Sequence, residues 1–155
     1  MPMRLKDVVA RLYKAPKDGQ RQAFALSRVD AERLPHLATM AVISITEPGR
    51  PLANLEGHEH VLRLSFADVD FLDGNISSRA KDKLKYAFTP EQAGRVTEFI
   101  ERLPAEIASI VVHCEGGYSR SAAIVVALGM LHGYTVEPRQ LTEANASIVK
   151  VMTKK

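Results

Sequence analysis

The single cysteine of this chain, Cys114, lies in the stretch HCEGGYSRS (residues 113–121), between a histidine and a short polar loop that ends in an arginine. The apolar run SIVV precedes it and SAAIVVALGMLHGY begins at Ser121, so the stretch reads as strand, small-residue loop, helix. In that setting backbone N–H groups and the positive end of a helix converge on one point, which suits an anion. Gly116 and Gly117 let the loop curl tightly. A cysteine at the mouth of such a nest is favoured as the thiolate, the nucleophilic form. Arg120 can grip two oxygens of a phosphate with its planar fork. An exposed arginine at the positive end of an apolar helix is unfavourable, and a bound anion removes the conflict. A nucleophile, an oxyanion cradle and a bidentate clamp side by side are the parts that phosphoryl transfer through a covalent phosphocysteine requires. A structural buried thiol, the ordinary role of a lone cysteine, leaves the glycines, Arg120 and Ser121 without a purpose.

The stretch also resembles the HC-x5-R-S/T signature of the cysteine-dependent protein tyrosine phosphatases. More narrowly it is similar to the small dual-specificity class, which has a glycine three residues after the cysteine. His113, Cys114, Gly117, Arg120 and Ser121 all match. The wider resemblance spans residues 24–150, with an aspartate loop upstream and two helices after the signature, and leaves the first 22 residues unmatched. It implies that Cys114 attacks phosphorus in line. The loop residues Glu115, Gly116, Gly117, Tyr118 and Ser119, with Arg120, would hold the phosphate oxygens. Ser121 would donate to the thiolate and ease its departure, and His113 would orient the loop from behind. The resemblance further implies a general acid on the loop after an earlier strand, because a phenolate or alkoxide leaving group must be protonated. The stretch LSFADVDFLDGN offers three aspartates. Asp68, where the strand ends, is the first candidate; Asp70 is the alternative general acid; Asp73-Gly74 reads as a turn. No cofactor and no metal is implied. His58-Glu59-His60 has ligand-like spacing without a companion cluster, and reads as a polar loop entering a strand.

One departure bears on the substrate. Glu115 directly follows the nucleophile, and the variable loop positions hold no lysine or arginine. Relatives that favour highly charged inositol phosphates carry basic residues there. The acidic loop therefore points away from polyphosphorylated substrates and toward protein phosphotyrosine or a small phosphomonoester, with phosphoserine and phosphothreonine as further substrates. A non-catalytic phosphate-binding module would need no nucleophile. Sulfur transfer or arsenate reduction is a third reading; protein-based arsenate reduction commonly uses resolving cysteines, and the chain has one cysteine in all. Tyr118 either lines the pocket entrance or packs beside the loop. The basic stretch Arg79, Lys81, Lys83 and Lys85 reads as a solvated face.

Several elements must position these groups. Residues 38–46 are β-branched and apolar, as a buried strand is, and Glu47-Pro48-Gly49 ends it; residues 60–66 read as the next strand, after a polar loop. Thr89, Pro90 and Gln92 mark the start of a helix over 89–104 whose Ala93, Val96, Ile100 and Leu103 share a face. Residues 109–114 form a strand, and the run from Ser121 is a central helix with Gly133 near its C-cap. Leu141, Ala144 and Ile148 suggest a last amphipathic helix, and residues 1–22 an amphipathic starter with a polar turn. Strands alternating with helices predict an α/β layered domain, a mostly parallel sheet flanked by helices, within residues 1–155.

Composition sets the outer bounds. A chain of 155 residues suits one domain, and 46% hydrophobic with 25% charged residues is ordinary for a globular protein. The net charge of +3 is small and scattered, which argues against a nucleic-acid partner. A lone cysteine favours a reducing compartment, and neither the charged N-terminus nor the run ended by His132 reads as a signal or membrane segment. The expectation is a cytoplasmic enzyme with no membrane partner.

Overall fold

Four apolar segments of the chain become strands: β1 (Gln22–Ser27), β2 (Met40–Thr46), β3 (Val61–Ser65) and β4 (Ser109–Cys114). In the computed structural model, which describes residues 3–15, 19–70 and 82–154, they form one sheet in the order β1-β4-β2-β3, and every ladder is parallel. The described helices are α1 (Leu5–Tyr13), α2 (Arg28–Ala31), α3 (Pro90–Glu101), α4 (Arg120–His132) and α5 (Ala146–Thr153). This is the predicted α/β layered architecture. Asp73, Gly74, Arg79 and Lys81 lie outside the described residues.

Successive side chains of a strand point to opposite faces, so a sheet covered on both sides is built from near-continuous apolar runs. Ala23 and Ala25, Ala41, Ile43 and Ile45, and Ile110, Val112 and Cys114 face one core, which Val96, Ile100, Ile124, Leu128 and Ile148 of α3, α4 and α5 complete. Phe24, Leu26, Met40, Val42 and Val111 face the other, against Val8 and Leu12 of α1 and Ala31 of α2. The N-terminal segment, whose role the sequence leaves open, thus covers one face of the sheet. Gln22 fastens it by donating from Nε2 to the Arg11 carbonyl and to Ser109 Oγ, 2.9 Å each.

The termini follow local chemistry. Thr89 Oγ1 accepts from Gln92 N (3.1 Å) while Gln92 Oε1 accepts from Thr89 N (3.0 Å), the capping box expected at α3. Gln92 Nε2 also donates to the Ser65 carbonyl (2.9 Å), tying α3 to the end of β3. Gly133 closes α4 with φ 69°. The last helix starts later than the periodicity of Leu141 suggests. Pro138–Gln140 form a 3-10 turn, and Asn145 begins the helix by accepting from Ser147 N and Ile148 N.

Because all four strands run the same way, their C-terminal ends share one edge of the sheet. Arg28, Glu47, Phe66 and Cys114 are the residues that end or follow β1, β2, β3 and β4. Thr89→Ala removes the acceptor that starts α3 and should lower stability by about 1 kcal/mol, read as a shift in the urea midpoint at unchanged slope.

Candidate active site

β4 ends inside the sheet, so the chain must leave its C-terminal edge through a tight curl before α4 can pack on the same sheet. Gly117 makes the curl possible. Its φ is 83°, and a Cβ there would lie 2.5 Å from the Leu26 carbonyl carbon and from Ser27 N. The loop therefore presses directly on the end of β1. The curl returns Gly117 N–H to Cys114 Sγ at 3.2 Å, and Ser121 Oγ stands 3.2 Å from the same sulfur. Both groups can donate to a thiolate. Cys114 itself is buried at the root of the loop.

His113 faces the opposite side of β4 from Cys114. Its Nδ1 lies 3.2 Å from the Cys114 carbonyl, which can only accept, so Nδ1 carries the hydrogen. Nε2 is then the acceptor for Ser44 Oγ at 2.6 Å. Burial holds this imidazole below its ordinary value of 6.5. A neutral ring of fixed tautomer thus ties the base of the loop to β2.

Arg120 opens α4 with its side chain only 7% exposed. Nη1 donates to Glu47 Oε2 (2.5 Å) and to the Phe66 carbonyl (2.9 Å). Its Nε is buried and has no partner among the described residues. One edge of the guanidinium is thus held by the ends of β2 and β3, while the adjacent Nε is left for another acceptor. Lys83 Nζ stands 3.8 Å from the other oxygen of Glu47. Helices α2, α3 and α5 have side-chain caps, but Ser119 gives none to α4. Its Oγ donates instead to Asp68 Oδ1 at 2.9 Å.

Asp68 also accepts from Asn145 Nδ2 at 2.8 Å on the same Oδ1, and Oδ2 has no partner among the described residues. Asn145 is buried. Its Nδ2 donates also to the Val69 carbonyl (3.1 Å), and its backbone N–H donates to the Ser119 carbonyl (3.2 Å). One side chain thus caps α5 and ties the aspartate loop to the Cys114 loop. Asp70, two residues on, accepts from Ser147 Oγ of α5 at 2.6 Å. The structure brings Asp68 to the Cys114 loop and turns Asp70 to α5.

At the other rim, the Glu115 carboxylate lies 3.3 Å from Arg28 and 3.9 Å from Arg50. The acidity of the loop is therefore offset by two guanidinium groups from the ends of β1 and β2. Tyr118 is half exposed, and its ring fills the space where a Gly116 side chain would stand. Among the described residues no three His, Cys, Asp or Glu side chains converge as metal ligands. His58 turns its ring to His36 (4.5 Å between centroids), and burial together with His36 lowers its proton affinity.

Glu47 and Asn145 carry no catalytic signal in the sequence. Glu47 marks only the end of β2. Asn145 has the spacing of a helix cap, and that signal locates the start of α5 without revealing its reach to Asp68.

The fold is similar to that of a tyrosine phosphatase-like protein of known structure. One such structure is the human tyrosine phosphatase-like serine/threonine/tyrosine-interacting protein, with a TM-score of 0.55 at 17% identity, covering 85% of this chain and 89% of that chain. Structures of PTPMT1, without ligand named and in complex with PI(5)P, match with a TM-score of 0.46 each, at 19% and 16% identity. They cover 87% and 88% of this chain and 94% and 93% of theirs. No protein-family profile and no curated protein matches the sequence.

Asn145→Ala should destabilise by about 2–3 kcal/mol, the sum of a lost cap and an unsatisfied carbonyl. Asn145→Asp keeps the cap but loses the donor to Asp68, so urea midpoints of the two variants separate the roles. His113 predicts a pH dependence. The unfolded chain takes up its proton near 6.5, the folded chain only at lower pH. The native state then binds fewer protons, and stability falls as pH drops through that window. Urea midpoints taken from about pH 7.5 to about pH 5.5 should decline, and less steeply in His113→Asn.

Proposed function

We propose that this chain is a phosphomonoester hydrolase that works through a phosphocysteine, acting on protein phosphotyrosine and, more weakly, on phosphoserine and phosphothreonine. The observation that carries the reading is the state of Arg120. It is a buried guanidinium at the positive end of a helix, held by Glu47 and the Phe66 carbonyl through Nη1, with Nε unpartnered among the described residues and the helix start without a side-chain cap. A phosphate dianion meets all of these donors at once.

In the first step Cys114 Sγ attacks phosphorus and the bond to the leaving oxygen breaks. Asp68, carrying its proton on Oδ2, gives it to that oxygen, so the alcohol or phenol leaves neutral. In the second step water attacks phosphorus, Asp68 takes the water proton, and the S–P bond breaks to release inorganic phosphate. The Ser121 hydroxyl and the Gly117 N–H, each 3.2 Å from sulfur, stabilise the departing thiolate. The contact of Asp68 with Ser119, against the contact of Asp70 with Ser147, supports Asp68 as the acid. We take residues 1–155 as one domain acting in the cytoplasm, a compartment suited to an unpaired thiol. Among the described residues no helix is long and apolar enough to cross a membrane.

Hydrolysis of p-nitrophenyl phosphate should be inhibited by vanadate and fall to background in Cys114→Ser. Asp68→Asn should lose about 10²-fold or more in kcat on phosphotyrosyl peptides, less on p-nitrophenyl phosphate with its better leaving group, and Asp70→Asn far less. Full activity of Cys114→Ser overturns the mechanism. Phosphopeptide binding without turnover by the wild type favours a non-catalytic module, and turnover of thiosulfate in preference to p-nitrophenyl phosphate favours sulfur transfer.

A further inference from the structure

The turn that leaves β2, Glu47-Pro48-Gly49-Arg50, touches the Cys114 loop at both of its ends. Its first residue holds Arg120 through Glu47 Oε2. Its last residue brings Arg50 Nε to 3.9 Å from Glu115 Oε1. The turn is closed by Arg50 N–H donating to the Glu47 carbonyl (3.0 Å), and Gly49 supplies the positive φ of 85° that the tight reversal needs. The backbone of Arg50 is therefore fixed at the rim of the anion cradle.

The two arginines at this rim differ in what they have left to offer. Arg28 is 16% exposed. Its Nη1 donates to the Pro51 carbonyl (2.7 Å) and to Glu115 (3.3 Å), and its Nη2 to the Leu52 carbonyl (2.9 Å). It is a clamp between the Cys114 loop and the loop after β2. Arg50 is 60% exposed, and its separation from Glu115 is an ion-pair distance, too long for a hydrogen bond. Among the described residues its guanidinium makes no hydrogen bond. Glu115 keeps Arg28 as its counter-charge whether or not Arg50 stays beside it.

We propose that Arg50 is a specificity-determining residue that binds a second anionic group on the substrate: a carboxylate side chain adjacent to the phosphotyrosine of a peptide. On binding, Arg50 exchanges its long contact with Glu115 for a hydrogen-bonded pair with the substrate carboxylate, and Arg28 continues to neutralise Glu115. The preferred substrate is thus an acidic phosphotyrosyl peptide. This rests on the phosphatase reading above, and it reverses what the bare acidity of Glu115 suggests about the rim.

The test compares kcat/KM for two phosphotyrosyl peptides that differ only in Glu or Gln next to the phosphotyrosine, in wild type, Arg50→Ala and Arg50→Lys. The wild type should prefer the Glu peptide by about fivefold, the size of a good exposed ion pair, chiefly through KM. The preference should shrink as salt is raised, vanish in Arg50→Ala and return in part in Arg50→Lys. No preference in the wild type, or an equal one in Arg50→Ala, overturns the proposal. Should the wild type turn over neither peptide nor p-nitrophenyl phosphate, the phosphatase reading falls separately. Binding of the two peptides to Cys114→Ser, with and without Arg50→Ala, then decides the role of Arg50. A Glu-over-Gln preference that Arg50→Ala removes supports it, and its absence overturns it.

Discussion

A guanidinium buried at the positive end of a helix is the constraint around which the candidate site is organised. Both the burial and the helix dipole oppose the charge of Arg120, so the fold must supply anions and acceptors close by. Glu47 and the Phe66 carbonyl do so along one edge of the fork, and they come from the ends of β2 and β3. That fixes the orientation of the guanidinium before any ligand arrives. It also couples the loop after β2, the segment after β3 and the start of α4 through a single side chain.

The all-parallel sheet makes such coupling geometrically cheap. With every strand running the same way, the segments leaving β1, β2, β3 and β4 emerge at one edge, the edge at which ligands bind in open parallel sheets. The first three then each contribute one polar grip to the segment that leaves β4. Arg28 reaches Glu115, Glu47 reaches Arg120, and Asp68 reaches Ser119. Asn145 closes the set from α5, where one amide both starts the helix and holds the aspartate loop. Behind the loop, His113 and Ser44 fix the base of β4 from the opposite face of the sheet. The loop is thus held from several sides by side chains of distant segments, which keeps its geometry rigid.

Much of this was legible in the sequence because its causes are local. The strand–loop–helix reading of residues 109–132, the capping box at Thr89 and Gln92 and the C-cap at Gly133 all depend on neighbours within a few positions. The parallel α/β class follows from alternating element types. The start of α5 was displaced because Pro138 and Asn145, local signals outweighed by the periodicity of Leu141, decide where that helix begins. The surroundings of Glu115 were not legible for a different reason. Its counter-ions Arg28 and Arg50 belong to other strand ends, and a charge read along the chain carries no record of what stands opposite it.

The sequence by itself determined the groups on offer: a cysteine, glycines, an arginine and a serine spaced within one tight curl of the chain. Only the tertiary structure decided which distant groups serve that curl. Glu47 is 73 residues from Arg120, and Asp68 lies 51 residues from Ser119 and 77 from Asn145. The end of the strand ranks Asp68 ahead of Asp70 along the chain without showing what either side chain touches. In space they turn to different partners, one to the Cys114 loop and one to α5. Local backbone sterics fix the loop, whereas the meeting of strand ends depends on how four parallel strands are ordered and packed, and no short stretch of the chain contains that information.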